Sequence, residues 1–550
     1  MDHKRIICLG LLLLLVFVLS EHNKLIQTLS NDGKGCGVCV FAITEAQKLF
    51  KSKPHLSTPL LFKQICRMPN DAKTQESCDA ISSEHTQQFD EYIKKNWDAD
   101  YICSKLGLCK TCHLLSDANQ VFSSPTAALS LPQNIRDAQY KARVLAPLLF
   151  SQFKGLQSDQ NGEGLPKRIF DLDGDYFSKY NSVGRGANWR GRDCNDWSSK
   201  VHPGRKYTNI GEDMNCNGIH GIDKETEKSF EDLFCNSFPD DRQLIFLGDS
   251  SVAGFMIPVE WLDLKNLTKV LSAYNNELDW PMKVWGSGWD DSIQSESMYH
   301  RIVSRNKCAH RQFQNVAKNG AEMKDLVEQI KNVQISHDDK PALVFIGYIG
   351  NDVCGPSLET MTPVDLYEKR LREGLESLNK KLPKNSKVVM FGLIDGAILF
   401  DHMGDLQHPI GPVKYSQFYE FLTCSGMNPC STWLTTNSTS RALASERMRQ
   451  LDGVLEKLVT EQFKFENFDL TFIDFEELID LAFAQLDKEK RPYSDLIDAV
   501  DGFHPSILYG SRILSKFLWQ VLEKQRPDFI GDINPNNEKI QSLFGDQGGH

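Results

Sequence analysis

The chain has 550 residues, a length that predicts two or three domains rather than a single core. Its content of 41% hydrophobic and 25% charged residues is typical of a soluble globular protein. The formal net charge of −11 argues against general nucleic-acid binding, which needs a basic face, and against attraction of the whole surface to an anionic membrane.

Residues 1–20 have the pattern of a secretory signal peptide. A basic start with Lys4 and Arg5 precedes an apolar run, and polar residues follow Ser20, near which we expect cleavage. The alternative is a membrane anchor, but the apolar run is short for a span. We therefore expect a secreted or lysosomal protein without a transmembrane segment.

The cysteine count and two sequons agree with this compartment. Removing Cys8 with the signal peptide leaves 14 of the 15 cysteines, an even number suited to an oxidising environment. Asn266 and Asn437 begin Asn-x-Thr sequons and are expected to be glycosylated. Sequons also arise by chance, so they add only modest support.

Residues 33–115 are predicted to form a helical, disulfide-rich domain. Apolar residues recur at helical spacing over 38–50 and again over 87–97. A domain of this size has a small core, so we expect disulfides to supply much of its stability. The cysteines of this segment are Cys36, Cys39, Cys66, Cys78, Cys103, Cys109 and Cys112. The first six allow 15 pairings, which their positions alone leave open.

Residues 116–168 are polar and irregular apart from the apolar patch 144–150. Long connections without regular structure are uncommon inside compact domains. The segment is therefore predicted to be a linker that is processed by proteolysis.

Residues 169–225 are rich in Asp, Asn and Gly and are predicted to bind calcium. Oxygen ligands at alternate positions followed by Gly are what a loop needs to wrap a hard cation. The candidate ligands are Asp171, Asp173, Asp175, Asp193, Asn195, Asp196, Asp213, Asn215, Asn217 and Asp223. Solvated Asp/Asn turns are the alternative, and the loops are not complete EF-hands. Any calcium is expected to be structural.

Residues 240–525 alternate apolar strand candidates with amphipathic helices. The strand candidates are 244–247, 283–285, 342–349, 387–394 and 470–475. This alternation predicts a parallel sheet with helices on both faces. Residues 526–550 are expected to be a C-terminal tail.

The carboxyl ends of these strands carry a candidate nucleophile and its base. Reactive groups gather at this edge of an open parallel sheet. Ser250 follows the first strand in a Gly-Asp-Ser turn, and Asp501 precedes His504 by three residues. Residues three apart on a turn share a side, so the carboxylate can hold the imidazole while the other ring nitrogen faces a serine.

Candidate oxyanion donors occur between these positions. Asn351 lies in a Gly-Asn-Asp turn after the third strand candidate, and Gly320 could present an unobstructed backbone N–H. Gly286 and Gly288 compete with Gly320 for this role. Each residue also has an ordinary structural reading, and only the combination in this order favours catalysis.

Taken together, these motifs resemble the GDSL, or SGNH, family of esterases and lipases. The resemblance implies a flavodoxin-like α/β/α fold, a Ser250–His504–Asp501 triad, and an oxyanion hole made by the N–H groups of Ser250 and Gly320 with the Asn351 amide. The chain departs from the family pattern at Ser251, where a leucine is usual.

The cysteine spacing of the N-terminal segment resembles that of saposin B-type domains. This resemblance implies disulfides Cys36–Cys109, Cys39–Cys103 and Cys66–Cys78, and a helical face that contacts lipid. A purely structural disulfide bundle is the alternative. Cys112 is left over and is expected to bond a cysteine of the hydrolase domain.

The order of signal peptide, saposin-type domain, calcium loops and GDSL domain resembles the acyloxyacyl hydrolase family. This implies a lipase that removes secondary fatty acyl chains from the lipid A part of lipopolysaccharide. It also implies cleavage into a small and a large subunit joined by a disulfide. The alternatives are a broader phospholipase or lysophospholipase and, in another class, a lipid-binding protein with an inactive hydrolase domain.

Overall fold

The structure is a computed structural model that describes residues 34–114, 131–154, 171–179, 189–206, 211–273, 278–290 and 296–550. The predicted signal peptide at 1–20 and much of the predicted linker lie outside these residues. The chain divides into two compact units. The helical unit comprises 1–152, 257–276 and 399–438, and the sheet unit comprises 153–256, 277–398 and 439–550.

In chain order, the described helices are α1 (Lys34–Ser52), α2 (Thr58–Ile65), α3 (Ala72–Glu84), α4 (Thr86–Lys94), α5 (Ala99–Lys105), α6 (Gln133–Lys154), α7 (Ser250–Ala253), α8 (Leu267–Ser272), α9 (Met298–Arg305), α10 (Leu326–Asn332), α11 (Val364–Asn379), α12 (Ala397–Met403), α13 (Tyr415–Ser425), α14 (Ser438–Lys457), α15 (Phe475–Glu489), α16 (Gly510–Gln525), α17 (Pro527–Ile530) and α18 (Asn537–Phe544). The strands are β1 (Gln243–Gly248), β2 (Phe313–Asn315), β3 (Ala342–Gly347), β4 (Ser386–Phe391) and β5 (Phe468–Ile473). Short 3-10 or π turns lie between several of them.

The helical unit is built around α1, which contacts each of α2, α3, α4 and α5. Its first half is buried, and a helix buried on all sides must be apolar all round. Disulfides join Cys36 to Cys109, Cys39 to Cys103 and Cys66 to Cys78, as the saposin-type resemblance implies. These bonds join α1 to α5 and to the loop after it, and join the end of α2 to α3.

A buried ion pair joins α6 to α5, and hydrogen bonds from the same arginine join α6 to the loop after α5. Arg143 on α6 pairs with Asp100 and also donates to the backbone oxygens of Lys110 and Cys112. The interpretation of 116–168 as irregular is therefore wrong for the part that forms α6. Its apolar patch packs inside the helical unit instead of interrupting a linker.

Cys112 bonds Cys424 near the end of α13, across 312 residues of sequence. Both cysteines belong to the helical unit, because the segments 257–276 and 399–438 cluster with the N-terminal helices. The predicted hydrolase domain at 240–525 is thus not one compact unit. Hydrophobic pattern alone gives no sign of such a division.

The sheet unit contains a parallel sheet of the described strands in the order β2-β1-β3-β4-β5. Phe246 and Phe345 are paired neighbours whose side chains join one apolar cluster with residues of α9, α15 and α16. Ile245 and Val344 alternate with them and are also buried, so both faces are covered. This is the α/β architecture expected from the sequence.

One predicted strand is wrong. Residue 283 ends a short 3-10 turn, Pro281–Lys283, and residues 283–285 form no strand. The edge strand beside β1, opposite β3, is β2. Its residues Phe313, Gln314 and Asn315 are all buried. A three-residue strand with two polar members has no periodic apolar signal, which is why pattern reasoning missed it.

The C-terminal residues 526–550 are also more than a tail, because they form α17 and α18. Beyond α18, Gln547 is buried, and the Arg311 guanidinium donates to the backbone oxygens of Gln547 and Gly549. The segment therefore packs as part of the sheet unit.

Candidate active site

Ser250 begins α7, directly after the carboxyl end of β1. Gly248 precedes it with φ +148°, and a Cβ there would lie 2.1 Å from the Gly347 oxygen on β3. Only glycine allows the strands to stay this close at the turn. Asp249 caps the helix by accepting from the backbone N–H of Ser251. The Gly-Asp-Ser sequence thus produces a tight strand-to-helix turn.

The structure brings Ser250, His504 and Asp501 together. His504 Nε2 lies 2.7 Å from Ser250 Oγ, and His504 Nδ1 lies 2.6 Å from Asp501 Oδ2. The other Asp501 oxygen accepts from the backbone N–H groups of Phe503 and His504. All three side chains are buried, so their mutual orientation is fixed by these bonds.

Asp498 shapes the turn that carries this acid and base. Its backbone N–H donates to the His504 oxygen at 2.7 Å, and its side chain accepts from the N–H groups of Val500 and Asp501. Burial, together with the Asp501 charge, raises the pKa of Asp498 to about 7. Asp498 was not among the predicted site residues, although its position three residues before Asp501 repeats the spacing between Asp501 and His504.

Asp249 joins the Gly-Asp-Ser turn to the loop after β3. One oxygen accepts from both the N–H and the hydroxyl of Ser251, and the other accepts from the N–H of Ile349 at 2.9 Å. Burial raises the pKa of Asp249. Ser251, which replaces the usual leucine, therefore adds a second bond to this carboxylate. Asp249 and Ser251 together fix the turn that carries Ser250 against the loop that carries Asn351.

Asn351 and Gly320 lie beside each other. Asn351 Nδ2 donates to the Ala321 oxygen at 3.0 Å, and Gly320 adopts φ +68°, a left-handed conformation that favours glycine. Among the described residues, no hydrogen bond is made by the backbone N–H of Gly320 or of Ser250, the first residue of its helix. These N–H groups are available to an incoming oxygen.

The competing glycines are differently placed. The N–H of Gly288 donates to the Val284 oxygen at 3.0 Å. A Cβ on Gly286 would lie 2.7 Å from the Phe246 ring, so this glycine serves core packing. The geometry favours Gly320 over both.

A buried polar cluster beneath the Asn351 loop was not foreseen. Asp352 Oδ2 accepts from the Met323 N–H at 2.8 Å, while Asp352 Oδ1 and the hydroxyls of Tyr348 and Tyr367 are buried without a hydrogen-bond partner among the described residues. Burial raises the pKa of Asp352 to about 7. The only signal in the sequence is the Asn-Asp pair itself, which also occurs in exposed turns.

Five of the predicted metal ligands form two adjoining groups of carboxylates. Asp171, Asp173 and Asp196 make one group, and Asp173, Asp175 and Asp193 make the other, with oxygens within 4.8 Å of one another. One oxygen each of Asp173, Asp175, Asp193 and Asp196 is buried without a hydrogen-bond partner among the described residues. Burial, opposed by a backbone hydrogen bond and aided by neighbouring carboxylates, raises the pKa of Asp175 to about 8. Buried carboxylate oxygens without donors suit a hard divalent cation.

The other predicted ligands are arranged differently. Asn215 and Asn217 donate to Glu231, Asp213 accepts from the N–H groups of Asn217 and Gly218, and Asn195 donates its N–H to Asp193. Asp223 caps an exposed turn by accepting from Thr226. Within the described ranges, neither Asp213 nor Asp223 belongs to a group of acids close enough to share an ion.

The remaining predicted sites lie on or near the surface of the helical unit. Asn266 precedes α8 with a half-buried side chain, and Asn437 is exposed just before α14.

In the sheet unit, Cys194 bonds Cys216 and Cys235 bonds Cys308. Across the described ranges, we find no helix with the length and apolarity needed to span a membrane.

Comparison with known proteins places this geometry in a family. The GDSL-like Lipase/Acylhydrolase family model matches residues 244–514. Curated acyloxyacyl hydrolases from Mus musculus, Oryctolagus cuniculus and Homo sapiens are 34%, 35% and 33% identical, each alignment covering 94–96% of both chains. The chain therefore belongs to the acyloxyacyl hydrolase family and is an ester hydrolase with a GDSL-type lipase domain.

Proposed function

We propose that this protein hydrolyses the secondary, acyloxyacyl-linked fatty acyl esters of lipid A by a Ser-His-Asp mechanism. The observation that carries the mechanism is the continuous chain of contacts from Ser250 Oγ through the His504 ring to Asp501, at 2.7 and 2.6 Å. A serine hydroxyl becomes a competent nucleophile when an adjacent base takes its proton.

Acyl transfer proceeds in two halves at this site. His504 Nε2 removes the proton of Ser250, whose oxygen attacks the ester carbonyl, and the imidazolium then protonates the leaving alkoxide. Water, activated by the same nitrogen, releases the fatty acid and restores Ser250. Asp501 holds the ring in the required tautomer and stabilises its positive charge.

The negative oxygen of the tetrahedral intermediate needs donors that are already in place. The backbone N–H groups of Ser250 and Gly320 and the amide of Asn351 are suited to this role, because Asn351 is held beside Gly320 through Ala321. One such donor contributes about 3–4 kcal/mol of transition-state stabilisation.

The substrate is proposed from the family and from the helical unit. The relatives are named acyloxyacyl hydrolases, after an ester formed on another acyl chain. The helical unit has the disulfide pattern of saposin-type domains, and we propose that it draws the acyl chain from the lipid aggregate. Amide-linked chains would remain in place.

In the test, purified protein is incubated with lipopolysaccharide and, separately, with phospholipid, and the released fatty acids are identified. We expect release of secondary acyl chains from lipid A, and at least a 10⁴-fold loss in Ser250→Ala on the order seen when a catalytic nucleophile is removed. Ser251→Ala is the matched control, since it loses one hydrogen bond to Asp249 and should stay within about tenfold of wild type. Faster release from phospholipid would favour the phospholipase alternative, and fatty-acid release by Ser250→Ala would refute the mechanism.

We also propose that the chain is cut within 116–168 and that the two products stay joined through Cys112 and Cys424. A single cut anywhere between these cysteines leaves their disulfide as a covalent link. Secreted protein should run as one band without reductant and as two bands with it. Two bands without reductant would contradict the proposal.

Finally, we propose that the carboxylate groups around Asp173 bind calcium as a structural ion. A cation bound only by the folded state stabilises it by mass action. Removal of calcium with a chelator should lower the melting temperature, whereas hydrolysis of a small soluble ester by protein that is still folded should be nearly unchanged. Immediate loss of turnover without loss of fold would point to a catalytic metal instead.

A further inference from the structure

Two apolar side chains protrude beside the carboxylate groups of the sheet unit. Leu172 is 62% exposed and Trp197 is 82% exposed. Leu172 lies between Asp171 and Asp173, and Trp197 follows Asp196 directly. Tryptophans are normally well buried, so an indole this exposed calls for an explanation. We name these two residues the Leu172–Trp197 patch.

A hydrogen bond links the two loops that carry these side chains. The backbone N–H of Leu172 donates to Asp196 Oδ1 at 3.3 Å. Both residues of the patch are therefore immediate chain neighbours of the group formed by Asp171, Asp173 and Asp196.

The two carboxylate groups differ in their access to solvent. Asp175 and Asp193 of the inner group are 2% and 1% exposed, whereas Asp171 and Asp173 are half-buried. The unpartnered oxygens of Asp175, Asp193 and Asp196 are buried and directed into the cluster. A cation held by the outer group would thus have protein oxygens as ligands and would lie nearer to solvent than one held by the inner group.

We propose that the Leu172–Trp197 patch is a cation-dependent docking surface for anionic lipid aggregates. The inference rests on the calcium proposed above. Without a cation, the clustered carboxylates repel anionic headgroups; with one, that repulsion is cancelled, and headgroup phosphate oxygens can complete the coordination of a hard cation. Tryptophan is at home in the headgroup region of a membrane, where its ring is apolar and its N–H is polar.

A lipid surface fits the patch better than a protein partner does. A stable protein interface buries on the order of 1,000 Å² or more with close complementarity, and two separate protruding side chains on charged loops do not offer that. Lipid headgroups rearrange around single inserted side chains. The chain belongs to a family with a lipase domain, so a lipid surface is a partner that it meets in its own reaction.

The docking surface and the triad are at different parts of the sheet unit. Residues 189–191 run antiparallel to β2, with Trp189 bonded to Asn315 and Gly191 bonded to Phe313. The chain therefore travels away from the carboxyl ends of the strands before it reaches Asp193. Lipid binding can be changed there without altering Ser250.

The experiment measures binding of full-length protein to sucrose-loaded vesicles by sedimentation. The protein carries Ser250→Ala so that no lipid is hydrolysed, and the vesicles contain either phosphatidylglycerol with phosphatidylcholine or phosphatidylcholine alone, each with calcium or with chelator. Calcium should strengthen binding to the anionic vesicles at least tenfold, and to neutral vesicles much less. Leu172→Ser and Trp197→Ser should each remove most of this calcium-dependent gain. Ile533→Ser is the matched control, because Ile533 is 64% exposed in the same unit, and it should change nothing.

The outcomes separate the docking surface from the ion site. If calcium raises the melting temperature but the two variants bind anionic vesicles as tightly as the control, the ion is structural and the docking surface is refuted. If calcium changes neither the melting temperature nor binding, both proposals fail. A gain that is equal on neutral and anionic vesicles would also overturn the inference, since it would come from apolar contact alone.

Discussion

The helical unit and the sheet unit reach stability by different routes. Within its described residues, the helical unit is closed by disulfides at Cys36, Cys39, Cys66 and Cys112, around a core centred on one helix. The sheet unit has buried apolar residues on both faces of a parallel sheet, with Phe246 on one face and Ile245 on the other. The difference appears in the buried acids: the sheet unit buries Asp249, Asp352, Asp498 and Asp501 around its site.

Buried carboxylates cost stability unless every oxygen is paired, and only a large core can tolerate several of them. The comparison therefore suggests a division of work. The helical unit depends on covalent bonds and needs few buried charges, whereas the sheet unit carries the destabilising groups that catalysis requires. The following predictions test this division.

The largest effect is expected at Asp501. Replacement by Asn keeps the shape but disturbs the bond to His504 Nδ1, so the ring loses its correct tautomer and a stabilising charge. We expect kcat on a small soluble ester to fall by about 10⁴-fold. The melting of the helical unit should not change. A loss smaller than tenfold would remove Asp501 from the triad.

Two disulfides of equal span compare the units directly. Cys36–Cys109 and Cys235–Cys308 both join residues 73 apart in sequence. The cost from loop closure is about 4 kcal/mol for either one. We expect the Cys36→Ala/Cys109→Ala variant to lose the fold of the helical unit, with hydrolysis of a small ester retained. The Cys235→Ala/Cys308→Ala variant should melt earlier but stay folded at 25 °C. Hydrogen exchange measured for each unit reports the outcome, and equal behaviour of the two variants would refute the division.

Asp249→Asn tests whether this carboxylate positions the site. An amide cannot accept on both sides, so the bond to either Ser251 or Ile349 is lost. We expect kcat to fall about 100-fold, the cost of a displaced oxyanion donor, while KM changes little. Ser251→Ala should fall much less. A change confined to the folded fraction, with normal kcat per folded molecule, would make Asp249 purely structural.

Asp352→Asn should change stability more than activity. The pKa of Asp352 is raised to about 7 by burial, so the folded state holds a proton that the unfolded state, with an ordinary pKa near 4, releases between these values. Wild type therefore loses stability as pH rises from about 4 to about 7, on the order of 4 kcal/mol from this group. Asn does not titrate, so the variant should melt above wild type at pH 8 and lose that advantage by pH 4. Parallel melting curves across this range would contradict the assignment.

Periodicity predicted the helical and α/β regions because both are dominated by repeating apolar positions. It failed at β2, because the polar side chains of Gln314 and Asn315 are buried there and give no apolar pattern. It also failed at α6, because the buried apolar residues of this helix follow and precede polar sequence that was interpreted as a linker. Sequence spacing predicted that Ser250, Asp501 and His504 lie together, because they occur at a strand end and in a turn, and the structure brings them into contact. It could not give Asp498 or Asp352, because burial of an acid is a tertiary property without a local signature.

The Cys112–Cys424 disulfide has a consequence for the order in which the chain is made. Synthesis runs from the N-terminus, so Cys424 is made before β5 and before the turn that holds Asp501 and His504. The helical unit can thus be complete and covalently closed while Ser250 still lacks its base. On the mechanism proposed above, a nascent chain in this state cannot yet hydrolyse an ester.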